Sequence, residues 1–172
     1  MRQAHAVNAD FKPATHELAE IQIANKNDEE AVRTLERNAL REDLHGDSLD
    51  LWLVTLKRLQ RDRYAQEQLE AFARKFPRKV EFIYALGVIA QRAGEISIAR
   101  PALQKANELS PNNFRILYEM GVMERFAGNI ERSQELIGQS LALNGAQPAA
   151  LRTYGFFFND TATTEIYTRL NV

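Results

Sequence analysis

Residues 80–111 read VEFIYALGVIAQRAGEISIARPALQKANELSP, and this stretch decides the fold. Ile83, Leu86, Gly87 and Ala90 recur at the spacing of one helix face, so a first helix is expected over 80–91. Ala93-Gly94 breaks it. A second helix is expected from about Glu95 to Leu109, with Ala99, Leu103 and Ala106 turned inward. Ser110-Pro111 ends it, and Pro111 suits the first turn of the next helix. Gly87 and Ala99 are small where two helix backbones are expected to approach closely. Pro101 sits inside the second helix, where it removes a donor and crowds the preceding turn. A kink or a late helix start is expected there.

Working outward, the same pattern returns every 34 residues without a gap. Gly87 falls on Gly121 and Gly155, Gly94 on Gly128, and Pro77 on Pro111. Ala31, Ala65, Ala99 and Ser133 share one small column. Leu35, Leu69, Leu103 and Ile137 share an aliphatic one, and Leu18, Trp52, Leu86, Met120 and Tyr154 a large apolar one. Asn27, Asp62 and Asn129 open second helices and are expected to be N-caps. A fixed period of this length marks stacked helical hairpins.

The pattern resembles the tetratricopeptide repeat, whose units carry large–x2–Leu–Gly–x2–Tyr, then Ala–x3–Phe, Ala and Pro. Residues 80–113 supply Ile83, Leu86, Gly87, Ala90, Ala99, Leu103, Ala106 and Pro111. Residues 114–147 supply Leu117, Met120, Gly121, Glu124, Ser133, Ile137 and Ser140, with Gly145 in the proline position. Residues 46–79 supply Leu49, Trp52, Leu53, Leu56, Ala65, Leu69, Phe72 and Pro77. Residues 12–45 are the most divergent, with Thr15, Leu18, Ala19, Ala31, Leu35 and Asn38, and 148–155 begin a partial fifth unit. The resemblance implies an all-α solenoid of antiparallel helix pairs wound into a right-handed superhelix.

Both ends depart from this register. Ala4 falls on the Asn38, Phe72, Ala106, Ser140 column and Val7 on the Leu109, Leu143 column. Residues 1–11 therefore read as the tail of a preceding second helix, or as a short N-terminal helix. After Gly155 the register stops. Three phenylalanines, 156–158, precede Asn-Asp-Thr-Ala-Thr-Thr-Glu-Ile-Tyr-Thr at 159–168. That string resembles the translation of a widely used short-read sequencing adapter, so residues 156–172 are set aside as a non-native tail. With Arg169, Asp160 and Glu165 removed, the rest of the chain is neutral. An array open at this end would expose Leu151 and Tyr154, and end-to-end self-association is expected of it.

Composition narrows the function classes. Lys and Arg number 22 against 23 Asp and Glu, which gives no basic excess for a nucleic-acid binder. With no cysteine, a disulfide framework, a thiolate metal site and a cysteine nucleophile are excluded. No apolar run is long enough for a membrane span, and a cytoplasmic location is expected. His16-Glu17 begins like the H-E-x-x-H zinc signature, but the fifth position is Glu20, so His16 is read as a helix-surface residue. His45, before Gly46, suits a helix end. The glycines are used by the repeat, leaving no phosphate loop, and there is no G-x-S-x-G. No catalytic residue, metal or cofactor is expected.

In tetratricopeptide arrays the first helices line a concave groove. Carried over by column, this implies three rows. His16, Asp50, Tyr84 and Tyr118 form the first, and Glu20, Val54, Val88 and Val122 the second. Lys57, Arg58, Gln91, Arg92, Arg125 and Phe126 form the third, extended by Arg152. The resemblance implies a scaffold holding a protein or peptide partner, with the arginines suited to acidic groups. The family's chaperone-tail-binding subgroup places Lys and Asn where His16 and Glu20 stand here, so that subtype is not implied. Similar arrays also occur fused to bacterial sulfotransferases and glycosyltransferases, and the alternative expectation is the N-terminal region of such an enzyme.

Overall fold

The computed structural model describes residues 14–40, 44 and 46–155. Residues 1–11 and 156–172, and His45, lie outside the described residues. Among those described there are nine α-helices: α1 (Ala14–Ala24), α2 (Asp28–Ala39), α3 (Gly46–Arg58), α4 (Asp62–Lys75), α5 (Val80–Arg92), α6 (Ile96–Leu109), α7 (Phe114–Phe126), α8 (Ile130–Leu143) and α9 (Pro148–Gly155). The starts of α3, α5, α7 and α9 fall 34 residues apart, and so do those of α2, α4, α6 and α8. The fold is an all-α solenoid of helix pairs. No described helix is long and apolar enough to cross a membrane.

Two compact units divide at Gln68 and Leu69, within α4. In the first unit, Ala31, Leu35, Trp52, Leu56 and Ala65 form the core. Trp52 Nε1 donates to Glu36 Oε1 at 3.2 Å, tying α3 to α2. Arg58 binds Asp28 through two nitrogens, and Arg61 Nη2 lies 2.9 Å from Glu29 Oε1. These pairs place carboxylates at the N-terminus of α2, where the helix dipole also favours them. A depression of about 520 Å³ at this corner is lined by Asp28 and Glu29 with Lys26, Asn27, Glu30, Arg33 and Leu59.

In the second unit, Phe72 of α4 meets Phe82 of α5 with ring centroids 5.2 Å apart. Gly87 of α5 and Gly121 of α7 carry the tight helix crossings. A Cβ on Gly87 would lie 3.2 Å from the Leu103 backbone nitrogen, and one on Gly121 would lie 3.2 Å from the Ser133 carbonyl oxygen. Ser133 Oγ donates to the Gly121 carbonyl at 2.7 Å, fastening α8 to α7. Ile137, Leu141 and Ala150 close the last layer, with Tyr118, Leu151 and Tyr154 packed on them. Leu151 and Tyr154, which the register leaves at an open end, are therefore half-buried.

The turns that follow α1, α3, α5 and α7 share one geometry. Lys26, Gln60, Gly94 and Gly128 take φ of 62°, 58°, 79° and 83°. The next amide reaches back to a carbonyl inside the helix: Asn27 to Gln22 at 2.8 Å, Arg61 to Leu56 at 2.9 Å, Glu95 to Ala90 at 2.8 Å and Asn129 to Glu124 at 2.8 Å. This is the Schellman C-cap, which glycine fits and a side chain strains. Gly94 and Gly128 mark it in the sequence; Lys26 and Gln60 do not. Replacing either by glycine is expected to stabilise the chain by about 1 kcal/mol, the left-handed penalty of an L residue, less part of the backbone entropy of glycine. A urea titration checks this, and an unchanged or lower midpoint would contradict it.

Three expected caps are corrected. Asn27 and Asn129 occupy the N-cap positions of α2 and α8, but neither side chain caps. Their ψ angles of 53° and 72° fall short of the extended backbone that brings an N-cap side chain to the free amides. Asn129 Nδ2 instead donates to Glu124 Oε2 at 2.6 Å. Asp62 is the first residue of α4 itself. Asn113, with ψ of 111°, does cap: its side chain accepts from Arg115 N at 3.1 Å. Pro101 does not delay α6, which runs from Ile96 through it. Ser97, whose carbonyl would have received the missing donor, and Pro101 are both exposed, so water can satisfy that group.

Candidate functional site

The first helices of the second unit meet through polar side chains. Gln91 Nε2 of α5 lies 3.4 Å from Glu119 Oε2 of α7. Tyr118 of α7 shares a 3.4 Å hydrogen bond with Thr153 Oγ1 of α9. Thr153 Oγ1 donates in turn to the Ala149 carbonyl at 2.9 Å. Four arginines lie on these helices, with Arg92, Arg115 and Arg152 exposed and Arg125 half-buried; Arg115 lies outside the carried-over columns. The Arg125 guanidinium stacks 5.6 Å from the centroid of Phe126, an aromatic ring 66% exposed. Tyr84 and Tyr118 are half-buried.

No protein-family model and no curated protein sequence matches the chain. Solved structures do. A MamA structure from Desulfovibrio magneticus RS-1 is 18% identical with a TM-score of 0.69, over 91% of this chain and 90% of that one. YrrB, a TPR protein with an unusual peptide-binding site, is 18% identical with a TM-score of 0.63, over 81% of this chain and 72% of that one. TTC0263, a thermophilic TPR protein from Thermus thermophilus, is 16% identical with a TM-score of 0.64, over 91% of this chain and 86% of that one. The chain has the tetratricopeptide-repeat fold.

Within that fold, the carried-over columns meet different surroundings. In the first unit Val54 is 63% exposed, and Asp50 and Lys57 are exposed. Arg58 is exposed and pairs with Asp28. His16 is corrected from a surface residue: it is 4% exposed and its Nδ1 lies 2.9 Å from Ser48 Oγ of α3. Its Nε2 lies 3.4 Å from Glu20 Oε1. Among the described residues no group of three or more His, Asp or Glu side chains is placed to hold a metal ion.

In the second unit Val88 and Gln91 are buried rather than open, at 8% and 6% exposure. Gln91 stands at the α5–α7 contact, beside Glu119. Val122 is half-buried. The site residues that share this unit with reachable surface are therefore Tyr84, Arg92, Tyr118, Val122, Arg125 and Arg152. Phe126 adds exposed apolar area beside Arg125.

Glu119 belongs here, and the column transfer missed it. It stands in a column that reads Glu17, Leu51, Ala85, Glu119 and Thr153, so the column itself carried no signal. Burial pushes its carboxyl above the usual value of 4.5, against the opposing pull of the Arg92 charge and the Gln91 hydrogen bond. A raised carboxyl pKa favours the protonated folded state. Its contribution is full below about pH 4.5 and is lost as pH rises through the raised value. Glu119→Gln is therefore expected to be more stable than the parent at pH 7, the difference shrinking toward pH 4. Thermal melts of both proteins across that range check it, and a difference that does not vary with pH would contradict it.

Proposed function

We propose that the chain is a protein-interaction scaffold that holds a peptide or protein segment bearing carboxylates against α5, α7 and α9. The observation that supports this reading is the polar contact between these helices, Gln91 with Glu119 and Tyr118 with Thr153, on the same helices that carry Arg92, Arg125, Arg152 and Tyr84. Guanidinium groups bind carboxylates in a two-point geometry, and half-buried tyrosines give flat apolar area at low entropic cost. Arg125 stacked on Phe126 presents charge and apolar surface together. YrrB, with its peptide-binding site, supports the reading by analogy of fold.

Fluorescence anisotropy with labelled peptides tests it. A Glu/Asp-containing series is compared with Gln/Asn counterparts of the same length. Replacing the carboxylates should weaken binding about tenfold, which is 1.4 kcal/mol. Arg92→Glu and Arg125→Glu should each weaken it similarly, and added salt should weaken it further. Equal affinity for both series would reject the acidic preference, and no binding of any peptide would reject the groove.

A further inference from the structure

We infer that a proton shared by Glu119 and Gln91 decides whether Arg92 faces an internal carboxylate or a ligand carboxylate, so that acidic segments bind more tightly as pH falls from 7 to 5. This coupling rests on the acidic-segment reading proposed above. Gln91 is 6% exposed, and its Oε1 is buried without a hydrogen-bond partner. A buried acceptor left unpaired is costly. The same amide presents Nε2 to Glu119 Oε2 at 3.4 Å. An ionised carboxylate only accepts, so it leaves Gln91 Oε1 unserved. A protonated one carries an O–H, and a carboxylic acid and a primary amide can pair with each group donating once and accepting once. A proton on Glu119 therefore supplies the donor that Gln91 Oε1 lacks. Burial pushes the Glu119 carboxyl up, in keeping with this. The repeat does not require the pair: one period earlier the two positions are Lys57 and Ala85, and one period later Arg125 and Thr153.

Arg92 follows Gln91, is exposed, and opposes the proton, since its charge favours ionised Glu119. The other elements packed against α7 spend their charges elsewhere. Arg100 and Lys105 of α6 pair with Glu124 and Glu108, and Arg132 of α8 pairs with Glu135. Neither Glu81 of α5 nor Arg152 of α9 is among the charges acting on Glu119. With Glu119 ionised, a carboxylate arriving at Arg92 meets a negative charge already there. With Glu119 protonated, that repulsion is gone and the guanidinium can take the ligand by two points. Binding therefore takes up a proton, and by linkage the protonated form binds more tightly.

Anisotropy titrations of the Glu/Asp-containing peptides at pH 7 and pH 5, at constant salt, test this. Affinity should rise about tenfold at pH 5, the linkage of a one-unit pKa change on binding. The peptide carboxylates, with ordinary values of about 4, stay largely ionised there. Glu119→Gln keeps the contact and holds no charge, so it should bind at pH 7 as tightly as the parent does at pH 5, with no further gain on acidification. In ¹³C spectra the Glu119 carboxyl should titrate above 4.5, and higher still with peptide bound. Parent binding that does not change with pH, or a rise that persists in Glu119→Gln, would overturn the coupling and leave the acidic-segment reading standing. No binding at either pH would overturn both.

Discussion

Gly121→Val is expected to lower the unfolding free energy by about 3 kcal/mol, at the upper end of overpacking costs. A Cβ on Gly121 would stand 2.5 Å from Ile137 Cγ1 and 3.2 Å from the Ser133 carbonyl. The first contact could be relieved by a rotamer change. The second is backbone, and it is fastened by the Ser133 Oγ bond to the Gly121 carbonyl. Helix propensity alone predicts the opposite sign for Gly121→Ala, a gain of about 1 kcal/mol. Packing outweighs it here, so both variants should lose stability, valine more. Gly87→Val should behave alike, with Leu103 Cγ 2.7 Å from the added atom. Gly46, whose Cβ would meet nothing within 4 Å, is the control that should tolerate alanine. Chemical denaturation followed by circular dichroism reads all four. A Gly121→Val protein as stable as the parent would mean that α7 and α8 are not as close as described.

Arg100→Met is expected to cost about 3 kcal/mol, the range for stranding a buried carboxylate. Glu124 occupies a column that is Leu56 and Ala90 in the two preceding repeats, and its side chain is 9% exposed. Arg100 Nη1 lies 3.0 Å from Glu124 Oε1, and Nη2 lies 3.2 Å from Oε2. Asn129 supplies a further donor at 2.6 Å. Removing the arginine leaves the charge with one neutral partner. The double variant Arg100→Met, Glu124→Ala restores the residue found at position 90 and should recover most of the loss. A double-mutant cycle measures the coupling. Additive effects would show that the pair contributes little.

The sequence carried the fold because periodic burial and left-handed turns are local properties. Gly94 and Gly128 announced their turns, and Gly87 its crossing. Lys26 and Gln60 adopt the same left-handed conformation without glycine, and nothing in their side chains signals it. The site was less readable for a different reason. A column tells which helix face a residue occupies, but not how closely the next first helix packs on it. That closeness buries Val88 and Gln91 of α5. It also brings Ser48 to His16 and Gln91 to Glu119, pairs set by the neighbouring repeat. The pairing of Arg58 with Asp28, thirty residues earlier, was likewise not legible in the column.

The most direct measurement of the functional claim is a chemical-shift map of the ¹⁵N-labelled chain titrated with a Glu/Asp-containing peptide. Saturable shifts are expected, concentrated at Tyr84, Arg92, Tyr118, Arg125 and Arg152, with the second helices α6 and α8 little affected. Shifts centred on α6 and α8, or none at concentrations that saturate the anisotropy signal, would contradict it.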